Sequence, residues 1–207
     1  LMMNIYDLIT ANSNMFAQLK FGKKDENILI DYLCPLTEQK AGIWSHKNCL
    51  LYIIQGNKGF EAADHYYKSM PGQLLFIRKG GFIVHQFFQQ PYRALIFMFD
   101  DSALHEFLSE YPNLVSSTVS DANDIVTMPV VMEIKTSPFI DSTFSSSLEY
   151  LKHPTAESKI ALELKFRELL VNLLREKHSN LFYSYLYFLC KDERLSFIKL
   201  MNDNGHY

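Results

Sequence analysis

Residues 44–88 read WSHKNCLLYIIQGNKGFEAADHYYKSMPGQLLFIRKGGFIVHQFF, and this stretch decides the fold. It consists of short apolar or alternating runs with turn residues between them. The turns are Gly56-Asn57, Pro71-Gly72 and Gly80-Gly81. Short strands at such spacing are typical of an antiparallel sandwich or closed barrel. Strand-like runs at 28–33 and 92–99 extend the pattern on both sides, so this half of the chain is predicted to be mainly β.

Two of these runs indicate where their strands lie in a sheet. In the run 58–69, apolar and polar residues alternate imperfectly, a mixed pattern that we expect near a sheet edge. Residues 94–99, ALIFMF, are apolar throughout. A run of that kind is typical of a central strand that is covered on both faces.

The periodicity becomes helical after residue 100. Asp100 or Asp101 is placed to cap a helix that ends at Pro112. A brief strand over 126–134 is predicted to close the barrel. Helices are then predicted over 138–152, 155–177 and 181–191, the long one capped by Thr155 with Ser158 three positions later. The chain is therefore predicted to be mainly β with α, a barrel followed by helices.

Composition narrows the class of protein. The net charge is −3, so the chain lacks the basic surplus with which a nucleic-acid binder neutralises phosphates. Its three cysteines are far apart and show no metal-binding spacing, which favours reduced thiols in a cytoplasmic protein. We see neither an apolar run long enough to span a membrane nor a signal peptide.

The stretch 44–88 resembles the cupin-type sensor domain of AraC-family transcription regulators, and more closely the subgroup that contains activators of type III secretion. The resemblance rests on an ordered series of features, extends over residues 25–205, and includes the helical stretch 157–174. The features are His46, Gly56, Lys58-Gly59, Tyr67, Pro71-Gly72-Gln73, the strand 74–77, Gly80 and His85.

This resemblance implies a division of the chain into three parts. Residues 1–135 would form a cupin-like β-barrel sensor domain, and residues 136–192 a helical linker and dimerisation segment. Residues 193–207 would begin a truncated helix-turn-helix domain. DNA would then be bound only through a C-terminal domain that is absent from this chain, and the function would be regulatory and non-catalytic.

The metal site of many cupins is incomplete in this sequence. His46 and His85 fall where the first and last histidine ligands would lie, but Asn48 replaces the second histidine and Tyr52 or Ile53 replaces the glutamate. Two imidazoles without a carboxylate leave a divalent ion under-ligated. We therefore predict no metal, no cofactor and no catalytic residues. The alternatives are a stand-alone cupin metalloenzyme and a small-molecule-binding module.

A ligand pocket inside the barrel is one of two open interpretations of its aromatic residues. The predicted lining residues are Trp44, His46, Tyr52, Phe60, His85 and Phe87. In the other interpretation these rings fill the barrel. The signal would be a small-molecule effector or a regulatory protein, because some members of the subgroup answer to a protein partner.

The helix over 155–177 is apolar on more than one side. One face carries Leu162, Phe166 and Leu169, which we expect to cover the barrel. The remaining apolar residues extend that surface and are predicted to form a homodimer interface, the role that the resemblance implies. They are Ile160, Leu164, Val171 and Leu174.

Overall fold

The computed structural model describes residues 2–11, 16–63, 65–115, 128–175 and 181–191, and these form two β-sheets and a layer of helices. The strands are β1 (Met2–Asn4), β2 (Ala17–Phe21), β3 (Asn27–Leu33), β4 (Lys40–Ser45), β5 (Asn48–Gln55), β6 (Lys58–Ala62), β7 (His65–Ser69), β8 (Leu74–Ile77), β9 (Gly80–Gln86), β10 (Arg93–Phe99) and β11 (Val131–Ile134). The helices are α1 (Ile5–Ala11), α2 (Asp101–Glu110), α3 (Pro138–Lys152), α4 (Ser158–Arg175) and α5 (181–191).

One sheet has six strands in the order β11-β8-β5-β10-β3-β2, and every pairing in it is antiparallel. The central strand β10 pairs with β5 and with β3, and its residues Ala94–Phe99 are all buried. Both faces of this sheet are covered, which explains why its central strands are apolar at successive positions. The prediction of a doubly covered strand over 94–99 is confirmed.

The second sheet has five strands in the order β1-β4-β9-β6-β7. The run 58–69, which the sequence suggested as one strand, is a hairpin of β6 and β7. Ala63 makes the turn with a φ of 47°. Strand β7 lies at the edge of the sheet, as the mixed pattern predicted.

The two sheets face each other across an apolar core. Alternate residues of the six-stranded sheet, such as Ile30, Leu51 and Ile96, point into this core and meet Phe60 and Val84 of the other sheet. The ladders of the described strands do not join the sheets into one closed barrel. Strand β11 pairs with β8 alone and forms a sheet edge, so it does not close a barrel as we had expected.

The helices cover the outer face of the six-stranded sheet. Phe97 and Phe99 of β10 contact Phe166 of α4 at ring-centroid distances of 5.7 and 4.9 Å. The Ser137 hydroxyl caps α3 by accepting a hydrogen bond from the Ile140 amide. Before α4, the Thr155 amide donates to the Ser158 hydroxyl over 2.8 Å, so these two residues form the partial capping box that the sequence indicated.

The predicted helices over 138–152, 155–177 and 181–191 are present, the second as Ser158–Arg175. Residues 193–207, predicted to begin a DNA-binding domain, lie outside the described residues. No helix in the described part of the chain is long and apolar enough to cross a membrane. The sequence interpretation missed β1, α1, β2 and β4.

Candidate functional site

A narrow cavity of about 40 Å³ remains between the two sheets. Apolar side chains form most of its wall, and Phe60 and Lys58 of β6 both line it, because residues two apart on a strand share a face. Ligand pockets for drug-sized molecules are commonly about 300–1,000 Å³. Side chains therefore fill most of the space between the sheets.

Lys58 is the charged side chain of this cavity, and it is only 3% exposed. Its Nζ donates to Cys34 Sγ over 2.9 Å and lies 4.6 Å from the ring centroid of Tyr92 and 5.4 Å from that of Tyr32. Burial lowers the pKa of Lys58 below its ordinary value, and the interaction with Cys34 partly offsets this effect.

The same contact acts on the thiol. Burial alone would raise the pKa of Cys34, but the charge of Lys58 and its hydrogen bond more than offset burial, so the pKa lies below the ordinary value. Cys49, fully enclosed nearby, shows the opposite effect, since burial raises its pKa to about 12. Sequence reasoning did not select Lys58 or Cys34, although the two-residue spacing of Lys58 from Phe60 was a usable signal.

Of the six predicted pocket residues, the structure places Phe60 in the cavity wall. Tyr52 points to the opposite face of its strand, where its ring stacks on Phe144 of α3 at 4.8 Å. Its hydroxyl donates to Asp141 Oδ1 over 3.1 Å. Tyr52 thus contributes to the contact between sheet and helices, because its neighbours Leu51 and Ile53 are the residues of β5 that face the other sheet.

The remaining four predicted residues lie toward the surface of the five-stranded sheet in two places. Trp44 is exposed, and its ring lies 5.9 Å from that of His46, which also contacts Tyr6 edge-on at 4.8 Å. His85 Nε2 lies 2.6 Å from Glu61 Oε2. Phe87 is half-buried, with Lys68 Nζ 5.3 Å from its ring centroid. Within the described residues, no group of three or more His, Cys, Asp or Glu is arranged to hold a metal.

The four residues predicted for a dimer interface divide into two sets. Ile160, Leu164 and Val171 are 66%, 63% and 41% exposed, and at 100° per residue they lie within about 40° of one another around the helix. We call these three residues the α4 stripe. Leu174 is 2% exposed and belongs to the core that contains Leu186 and Leu189 of α5.

A polar junction connects the six-stranded sheet with the helices at Asp101, the first residue of α2. Its Oδ1 accepts hydrogen bonds of 2.6 Å from Asn48 Nδ2 of β5 and from the Tyr185 hydroxyl of α5. Its Oδ2 accepts from Lys79 Nζ over 2.6 Å. Burial would raise the pKa of Asp101, but these donors more than offset it, so the pKa lies below the ordinary value.

Two facing antiparallel sheets with helices on one outer face define a class of sensor domain, and comparison with known proteins identifies it. Residues 48–185 match the family described as the ExsA N-terminal regulatory domain. This match spans about two thirds of the chain, so the chain belongs to that family and is a regulatory domain of an AraC-family regulator. The sequence-based interpretation is confirmed on this point.

Solved structures of low sequence identity show the same fold. An apo ToxT variant from Vibrio cholerae is 8% identical with a TM-score of 0.55, and the match covers 78% of this chain. This likeness confirms the predicted cupin-like fold, with its strands in two facing sheets. The AraC-like transcriptional activator CuxR is 9% identical over 88% of this chain, with a TM-score of 0.47.

The chain matches 60% of the ToxT chain and 63% of the CuxR chain, so it spans less than two thirds of the regulators it resembles. The DMSP lyase DddQ from Ruegeria pomeroyi is 18% identical over 42% of this chain and 47% of its own, with a TM-score of 0.33. A search of curated proteins finds no match to the sequence.

Proposed function

We propose that this chain is the signal-receiving and dimerising part of a transcription regulator whose DNA-reading module is a separate C-terminal domain. Residues 1–135 receive the signal, residues 136–192 pair two copies, and residues 193–207 lead into the DNA-reading module. The protein regulates transcription without catalysing a reaction. A net charge of −3 supports the assignment of DNA binding to another domain.

The observation that carries this proposal is the α4 stripe. Ile160, Leu164 and Val171 are large apolar side chains that face solvent on one side of an otherwise well-packed helix. Such a row is what a partner helix buries, and a second copy of the chain presents the same row. Arg167 lies beside the stripe and is paired with Glu110 and Glu163, so it brings no uncompensated charge into the contact.

The signal reaches the domain from a regulatory protein. The small size of the inter-sheet cavity supports this proposal, because an effector molecule would have to displace packed side chains to enter. A small anionic effector is the second candidate. Lys58 favours it, since this buried cation has no carboxylate among its partners in the described residues.

Sedimentation of the purified chain over a range of concentrations tests the pairing. The wild type should form dimers, and Leu164→Glu should weaken dimerisation at least ~10-fold, because it places a charge in an apolar contact. Phe88→Glu is the matched control, since Phe88 is 58% exposed and lies outside the helical layer. A monomeric wild type, or dimers of Leu164→Glu as stable as those of the wild type, would overturn the proposal.

A further inference from the structure

A second cavity, of about 200 Å³, lies on the helical side of the domain. The turn between β2 and β3 forms one wall, with Gly22 and Asn27, while α2 and α4 form the others. It is five times larger than the space between the sheets and does not overlap it. We call it the α2–α4 cavity.

Two buried oxygen atoms at this cavity have no hydrogen-bond partner. Asn27 is 7% exposed, and its Oδ1 accepts no hydrogen bond. Glu163 Oε1 accepts from Arg167 Nε over 3.2 Å, but its Oε2 is buried and accepts none. Buried polar atoms in folded proteins are normally satisfied, so two free acceptors at one cavity indicate a missing donor.

Both acceptors border the same space. A methyl group placed on Gly22 would lie 3.0 Å from Asn27 Nδ2 and 3.6 Å from Glu163 Oε2. A compact group with several N–H donors in the α2–α4 cavity would therefore be close to both side chains.

The charges around the cavity leave one carboxylate in excess. Lys23 pairs with Glu106, Lys24 lies 4.0 Å from Glu26, and Arg167 pairs with both Glu110 and Glu163. Three cations thus face four carboxylates. A single positive charge in the cavity would balance the set.

The remaining wall is apolar and aromatic. Phe107 of α2 with Phe166 and Leu170 of α4 line it, and all three are buried. An aromatic wall beside a negative rim suits an organic cation with a flat apolar body. A bare divalent ion fits poorly, because it needs six or more oxygen ligands and the cavity offers two free ones.

We propose that the α2–α4 cavity binds a small organic monocation, an amidinium or a primary ammonium, whose N–H groups donate to Asn27 Oδ1 and Glu163 Oε2. The ligand contacts the β2–β3 turn, α2 and α4 together. Because α4 also carries the α4 stripe, such a ligand would hold the dimerisation helix against the sheet. The site is independent of the proposed dimer and would be present in a single copy of the chain.

Calorimetric titration of the full chain with benzamidinium tests this site, and thermal unfolding with the same probe provides a second readout. Benzamidinium should bind and raise the melting temperature, while the neutral isostere benzamide should not. Glu163→Gln keeps the size of the side chain and should weaken binding ~10-fold or more, as should Asn27→Ala, because each removes a hydrogen bond to a charged group.

Glu168→Gln is the matched control on the same helix, since Glu168 pairs with Lys165 and does not line the cavity. It should bind benzamidinium as the wild type does. Equal binding of benzamide, an equal effect of ammonium or potassium chloride, or unchanged affinity in Glu163→Gln would overturn the proposal. Absence of binding by both benzamidinium and methylguanidinium would do the same.

Discussion

The Tyr185 hydroxyl donates a hydrogen bond of 2.6 Å to the carboxylate of Asp101. This contact joins α5, the last helix that the structure describes, to the start of α2 and, through Asn48, to the centre of the six-stranded sheet. A change in how the sheet is packed would therefore reach α5 through one carboxylate. In the proposed regulator, α5 is the described helix nearest in sequence to the DNA-reading module.

Loss of this hydroxyl should destabilise the domain. Tyr185→Phe should lower the free energy of unfolding by about 1 kcal/mol, since Asp101 keeps two other donors but loses one hydrogen bond. Urea unfolding followed by circular dichroism measures the change. Tyr187→Phe, on the same helix, should have little effect, and an equal loss in both variants would contradict the role of the Asp101 contact.

The Asp101 junction should also make stability depend on pH in the acid range. The pKa of Asp101 is lower in the folded protein than its ordinary value of 3.8, so the unfolded chain binds the proton more tightly. Its stabilising contribution is complete above the unfolded-state pKa and is lost as pH falls through the folded-state pKa. Unfolding free energies between pH 6 and about 2.5 should fall less steeply in Asp101→Asn than in the wild type. Asp7→Asn, at an exposed carboxylate of α1, should leave the wild-type slope unchanged.

Cys34 should be the most reactive of the three cysteines. Its lowered pKa gives more thiolate at pH 7.5 than an ordinary cysteine has, while Cys49 stays protonated with a pKa of about 12. Iodoacetamide labelling followed by peptide mass spectrometry should modify Cys34 first and Cys49 last. Lys58→Met should slow the modification of Cys34, because it removes the cation that stabilises the thiolate. Labelling of Cys34 at the same rate in that variant would refute this account.

The contact between the sheet and α3 should contribute strongly to stability. Phe144 is 1% exposed and touches Tyr52 and Phe97, so Phe144→Ala should cost about 3–5 kcal/mol. Phe139, on the same helix, is 55% exposed, and Phe139→Ala should cost less than about 1 kcal/mol. Thermal or chemical unfolding distinguishes the two. Similar losses in both variants would mean that the helical layer is less tightly packed than the structure indicates.

The sequence predicted the strands that are buried on both faces, because continuous apolar runs such as 94–99 are unambiguous. It missed β2 and β4, whose sequences AQLKF and KAGIWS mix polar and small residues and carry only a weak strand pattern. It joined β6 and β7 because nothing in the run 58–69 marks Ala63 as a turn residue.

Assignment of faces was harder than assignment of strands. In β5, Leu51 and Tyr52 are both suitable for a core, so alternation could not show which of them faces the other sheet. Leu174 presents a similar case on α4, since it lies close to the α4 stripe in angle but is buried by packing against other helices. The Asp101 junction depends on residues distant in sequence, and no local pattern indicates it.

The six-stranded sheet is a single partition with packed side chains on both of its sides. Leu50 and Phe97 press on the helices, while Leu51 and Ile96, their immediate neighbours in the chain, press on the opposite sheet. Neither side has free volume to absorb a displacement, because close-packed interiors compress little. Any event that spreads or tightens one compartment must therefore move the wall of the other, and a domain built in this way transmits force through its backbone without needing a hinge.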